Sequence, residues 1–132
     1  MKIIILGVNG LIGNGLYRNL KNKKNIDLYV SYRDKKKFEL FFSNYNLEKS
    51  IHLEYNKNFD TYSKAISLIK PDIIINCIGI TKHLSNKYLD SEIFDINSNF
   101  PIKLKNLSDT INSRLIQIST DCVFLGDRGK YS

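Results

Sequence analysis

Two rhythms of apolar residues alternate along the chain. Short runs rich in β-branched residues fall at Lys2–Leu6, Ile26–Tyr32, Ile51–Tyr55, Ile73–Ile75 and Leu115–Ile118. Between them the apolar positions return every three or four residues. Leu11, Ile12, Leu16 and Leu20 mark a helix from Leu11 to about Asn22, and Lys35–Ser43 reads as a short helix. Phe59, Tyr62, Ala65, Ile66 and Ile69 form one helical face, and a long helix is expected from Tyr88 to about Leu107, kinked or interrupted at Pro101. The residues after the fifth strand read as loop.

Strands separated by helices predict an α/β domain with a parallel sheet covered on both faces. A run such as Ile73-Ile74-Ile75, apolar without alternation, is what a strand needs when both of its faces are buried. Right-handed crossovers leave few topologies. The expected one is a Rossmann-type doubly wound sheet of about five strands in the order 3-2-1-4-5. Residues 1–132 are expected to form one such domain, stopping short of further strands and of a substrate lobe.

Composition narrows the picture modestly. With 42% hydrophobic and 25% charged residues the chain reads as a folded, soluble, cytoplasmic protein rather than a disordered one. Two cysteines exclude a disulfide scaffold and, without partner ligands, a zinc site, so no metal is expected. Cys77 and Cys122 follow neighbouring strands and are expected to be reduced thiols. His52 and His83 are isolated. No apolar run reaches the roughly 18 residues of a membrane span. The net charge of +7 is uneven, because residues 1–66 hold 12 Lys/Arg against 6 Asp/Glu and residues 67–132 hold 8 against 7. A basic first half attracts anions. No nucleic-acid-binding motif accompanies it, so nucleic acid is the weakest of the candidate partners.

The chemistry-bearing segment is Gly7-Val8-Asn9-Gly10-Leu11-Ile12-Gly13, between the first strand and the first helix. Gly7 permits a tight turn, Gly10 allows a pyrophosphate close to the backbone, and Gly13 lets the helix pack on the strand. The N–H groups of Leu11 and Ile12 open the helix, where an anion is favoured. Asn9 lies within the turn and is counted with it as cofactor-binding. The spacing is G-x-x-G-x-x-G, and its position between strand and helix gives it weight. After the second strand stands Ser31-Tyr32-Arg33-Asp34. NAD sites usually place an acid there, on the ribose 2′-hydroxyl, whereas Ser31 and Arg33 suit a 2′-phosphate. The expected cofactor is NADP(H) rather than NAD(H), although a small shift in register would bring Asp34 to the ribose.

Several segments in order then resemble a known family: Gly7–Gly13, Asn76-Cys77-Ile78-Gly79-Ile80-Thr81-Lys82, Asn97 within Asp95–Pro101, and Ser119-Thr120-Asp121-Cys122-Val123-Phe124 followed by Gly126, Gly129 and Tyr131. The chain resembles the extended short-chain dehydrogenase/reductases, and among them the dTDP-4-dehydrorhamnose reductase group. The resemblance implies that Gly7, Gly10 and Gly13, with the backbone of Leu11 and Ile12, hold the pyrophosphate. It implies that Arg33 holds the 2′-phosphate and that Cys77, Ile78 and Gly79 line the riboses. Thr120 matches the catalytic Ser/Thr, and Asn97 matches the asparagine that supports the catalytic lysine. No role follows for Lys82 or Asp121.

Two departures stand out. Relatives often carry an adenine-touching Asp after the third strand, where this sequence reads His52-Leu53-Glu54-Tyr55-Asn56. The family's proton-donating Tyr-x-x-x-Lys pair belongs on the helix after the Thr120 loop, and the sequence stops before it. The implied function is the N-terminal, cofactor-binding portion of an NADP-dependent reductase of 4-keto-6-deoxy sugar nucleotides, in deoxysugar or surface-polysaccharide synthesis. The substrate is a nucleotide-sugar, and a homodimer is a candidate assembly. These residues alone are expected to be inactive. The alternative is a non-catalytic, NADP-binding regulatory module.

Overall fold

The computed structural model describes residues 1–42, 49–53 and 58–120. Its five strands are β1 (Lys2–Leu6), β2 (Asp27–Tyr32), β3 (Ser50–His52), β4 (Ile73–Asn76) and β5 (Arg114–Gln117). They form one parallel sheet in the order β3-β2-β1-β4-β5, as the sequence pattern predicts. The helices are α1 (Leu11–Leu20), α2 (Lys35–Phe41), α3 (Asp60–Ile69), α4 (Asp90–Phe94) and α5 (Phe100–Thr110), with a 3₁₀ turn over Lys82–Lys87.

Alternate residues of each strand face opposite cores, which is why the central strands are apolar throughout. Ile3 and Ile5 of β1 pack with Leu28, Val30 and Ile75 under Tyr17 of α1 and Phe38 of α2. Ile4 and Leu6, with Ile74, face the other way onto Tyr62 and Ile66 of α3 and onto Phe100 and Leu104 of α5. Burying each such side chain contributes about 1.5–3 kcal/mol. Strand order reverses at β1: β2 and β3 lie to one side, β4 and β5 to the other. The loops after β1 and β4 therefore diverge and leave a crevice at the carboxyl ends of the strands, where such folds bind ligands.

Several boundaries differ from the sequence expectation. α1 ends at Leu20, and β3 covers only Ser50–His52, with residues 54–57 outside the described set. The long helix from Tyr88 is the larger correction. Tyr88 is extended (φ −132°, ψ 152°), and the helix opens at Asp90, where the Leu89 N–H donates to Glu92 Oε2 (2.9 Å). The irregularity also falls earlier than Pro101 itself. Residues Asp95–Asn99 form a π turn that ends with the Phe100 N–H donating to the Asp95 carbonyl. Proline has no N–H and its ring crowds the carbonyl four residues back, so a widened turn just before Pro101 absorbs both problems without breaking the rod.

Candidate functional site: a cleft at the carboxyl edge of the sheet

The turn after β1 is shaped by glycine for two separate reasons. Gly7 has φ +84°, a left-handed conformation, and a Cβ there would lie 2.9 Å from Ile78. A Cβ on Gly13 would lie 2.5 Å from the Gly7 carbonyl oxygen, so α1 rests directly on the turn. Gly10 is different. Its φ of −80° suits any residue, and a Cβ would meet only the Gly7 carbonyl oxygen at 3.4 Å. Among the described residues, nothing in the packing requires glycine at position 10. The helix beyond it opens without a side-chain cap, so its first N–H groups face outward with the positive end of the helix dipole.

Ser31 and Asn9, which both line the cleft, also tie its walls together. Ser31 is 2% exposed; its Oγ accepts the Gly7 N–H (3.1 Å) and its carbonyl accepts the Val8 N–H (2.9 Å). Asn9 Oδ1 accepts the N–H groups of Arg33 (3.1 Å) and Asp34 (3.3 Å). Both side chains lash the glycine turn to the end of β2. Asp34, which also lines the cleft, caps α2 with one carboxylate oxygen, Oδ1 accepting the Lys37 N–H (3.0 Å).

Arg33 is left on the mouth of the cleft. His52 stacks on Tyr32 and its Nε2 donates to the Arg33 carbonyl (2.8 Å). The guanidinium donates through Nη1 to the Tyr88 hydroxyl (3.3 Å). Lys37 lines the same mouth. Sequence reasoning singled out neither Lys37 nor Tyr88 for this site; a basic run and a helix-periodic tyrosine carry no signal of which wall they face.

The far wall follows β4. Asn76 is fully buried; its Nδ2 donates to Gln117 Oε1 (2.8 Å) and its Oδ1 accepts the Ile78 N–H (3.1 Å). Cys77, Ile78, Gly79 and Ile80 line the cleft, whose volume is about 290 Å³. Burial pushes the Cys77 thiol up to about 11, so it is neutral at physiological pH. Asn97, carried in the π turn, exchanges two hydrogen bonds with the backbone of Ile80. Both ends of its amide are thereby used to hold the β4 loop.

Leu11 and Ile12 are exposed at the start of α1. Thr120 is exposed three residues past the end of β5, on the same edge of the sheet, but does not line the cleft. Asp121, Cys122 and the stretch to Tyr131 lie outside the described residues, as does the Lys82 side chain. Tyr17 and Lys21 have the Tyr-x-x-x-Lys spacing, but Tyr17 is 6% exposed in the core beside Phe42, and burial raises its phenol above its ordinary value. Lys21 Nζ stands 5.6 Å over the ring. This pair is packing, not a proton donor.

No helix among the described residues is long and apolar enough to cross a membrane. Sheet order, glycine turn and cleft define a Rossmann-type α/β domain. A family model, the RmlD substrate binding domain, matches residues 1–132 from end to end, and the chain belongs to that family. No curated protein matches the sequence. Among solved structures, a hypothetical dTDP-4-dehydrorhamnose reductase from Sulfolobus tokodaii shares 23% identity over 100% of this chain and 44% of its own, with a TM-score of 0.78. A dTDP-4-dehydrorhamnose reductase from Bacillus anthracis, solved in complex with NADP, shares 26% identity over 97% of this chain and 39% of its own, with a TM-score of 0.71. The ADP-L-glycero-D-manno-heptose-6-epimerase of Helicobacter pylori, at 13% identity and a TM-score of 0.79, shares the fold over 99% of this chain and 43% of its own. The sequence thus spans less than half the length of each of these proteins.

Proposed function

We propose that these residues form the cofactor-binding portion of an NADP-dependent reductase of 4-keto-6-deoxy sugar nucleotides, of the dTDP-4-dehydrorhamnose kind, in deoxysugar or surface-polysaccharide synthesis. The observation that carries the proposal is Gly10. Among the described residues, glycine there answers to neither backbone nor packing, and Gly10 lines the cleft at an uncapped helix start. That combination fits a pyrophosphate lying against the backbone.

In this reading Gly7, Gly10 and Gly13, with the N–H groups of Leu11 and Ile12, hold the pyrophosphate. Arg33 takes the 2′-phosphate. Among the described residues no carboxylate forms an ion pair with Arg33. Asp34, the residue that would favour a bare ribose, gives its Oδ1 to the start of α2. Cys77, Ile78 and Gly79 form the wall along the riboses. Neutral Cys77 adds no charge beside a dinucleotide that is already anionic. When bound, the nicotinamide supplies a hydride to the sugar ketone. Thr120 would donate a hydrogen bond to the carbonyl oxygen as negative charge grows on it. Asn97 would act through the β4 loop that it holds. Residues 1–132 alone are expected to bind the cofactor without turnover.

Calorimetric titration of the full chain with NADPH and NADH is the test. Tighter binding of NADPH by at least about tenfold, roughly 1.4 kcal/mol, is expected. Equal affinities would remove the NADP assignment, and failure of both to bind would remove the cofactor role.

A further inference from the structure

The Arg33 backbone is fixed from two sides, its N–H by Asn9 and its carbonyl by His52. Its side chain, by contrast, extends from an exposed position across the mouth of the cleft and, among the described residues, has one hydrogen-bond partner, the hydroxyl of Tyr88. Tyr88 belongs to the opposite wall. It is half-buried, it lies between the 3₁₀ turn and α4, and its own N–H donates to the Ser85 carbonyl (3.0 Å). The bond therefore joins the loop after β2 to the segment after β4, 55 residues apart.

We propose that Tyr88 is a positioning and specificity residue: by holding the Arg33 guanidinium at the cleft mouth, it sets the preference for a 2′-phosphorylated dinucleotide. The inference rests on the NADP reading given above and goes beyond it, since it assigns selectivity to a residue outside the glycine turn and outside β2. An arginine side chain loses much rotamer freedom when it grips a phosphate, and a neighbour that already holds it reduces that loss. Tyr88 uses one nitrogen, Nη1, and the guanidinium carries five N–H donors. Its remaining edge can still form paired hydrogen bonds with a phosphate. Tyr88 thus orients the fork without consuming it. A bare ribose makes no demand on Arg33, so Tyr88 should matter little for NADH.

The test compares the full chain with Tyr88→Phe, Arg33→Gln and the double variant. NADPH, NADH, adenosine 2′,5′-bisphosphate and adenosine 5′-monophosphate are titrated against each, with thermal unfolding as the control for folding. Tyr88→Phe keeps the ring and removes only the hydroxyl. It should weaken NADPH and the bisphosphate by roughly three- to tenfold and change NADH and the monophosphate by less than about twofold. In the Arg33→Gln background the same change should have no further effect on NADPH. An unaltered NADPH/NADH ratio in Tyr88→Phe, or tighter NADPH binding, would overturn the proposal while leaving the NADP reading intact. A wild-type chain with no NADPH preference would instead remove that reading, and the proposal with it.

Discussion

Asn97 and Ile80 pair like two residues of adjacent strands. The Ile80 N–H donates to Asn97 Oδ1 and Asn97 Nδ2 donates to the Ile80 carbonyl, each at 2.8 Å. A side-chain amide can replace a strand neighbour only if it is presented at the right height, and the π turn Asp95–Asn99 presents it. Asn97→Ala should cost about 1–2 kcal/mol in chemical denaturation, the usual worth of two partly exposed bonds. Amide hydrogen exchange should quicken at Ile80 and stay unchanged in β1. Unchanged exchange at Ile80 would show that the loop holds its shape without the asparagine.

Gly10 separates stability from binding. Serine is a good helix N-cap and the backbone at position 10 is already extended, so Gly10→Ser should leave the melting temperature unchanged or raise it by the equivalent of a few tenths of a kcal/mol. Dinucleotide affinity should fall at least tenfold, because the new side chain occupies the approach to the helix start. Full affinity in a stable Gly10→Ser protein would move the phosphate elsewhere.

Gly13 should behave in the opposite way. Its Cβ would have to occupy space 2.5 Å from a backbone oxygen, with no flexible side chain to yield. Gly13→Ala is expected to destabilise the fold by about 2 kcal/mol or more, with a drop in the urea midpoint that dinucleotide does not fully restore.

Gly15, mid-way along α1, has open space where a Cβ would go. Gly15→Ala should stabilise the protein by about 0.5–1 kcal/mol through helix propensity alone. The same titrations should show cofactor affinity untouched, which makes this variant a control for the two before it.

Cys77 gives a pH signature. An exposed thiol ionises near 9.0, and burial pushes this one up to about 11. The native state holds its proton longer than the unfolded chain does, so the thiol's contribution to stability is complete below pH 9 and declines as pH rises towards 11. Alkylation by iodoacetamide in a Cys122→Ser background should be slow at pH 8 and accelerate only above about pH 10. Saturating NADPH should slow it further, since Cys77 lines the cleft. Fast modification at pH 8 would mean that the thiol is not shielded.

The sheet was legible because its determinants are local. The unalternating Ile73–Ile75 run can only suit a strand covered on both faces, and the glycine turn announces both the end of β1 and the start of α1. The failures have an equally physical origin. Hydrophobic periodicity in 88–107 cannot reveal a hydrogen bond that reaches back five residues, so the pattern points to Pro101 itself rather than to the π turn before it. Residue type also does not disclose a partner: Asn9 and Ser31 line the cleft, and the sequence carries no sign that their side chains bond neighbouring backbone. In the sequence Tyr88 reads as the start of a helix, whereas its backbone is extended and its hydroxyl meets Arg33.

The lashing of the Gly7 turn to the end of β2 by Ser31 and Asn9 also bears on the thermodynamics of recognition. The two loops count as a single body, so a ligand touching both need not first bring them into register. The entropy lost on association would fall mainly on the ligand, which must give up its own internal rotations to lie along a surface already in place. Selectivity among dinucleotides would then be decided by fit at fixed points rather than by how far each one can draw the protein around it.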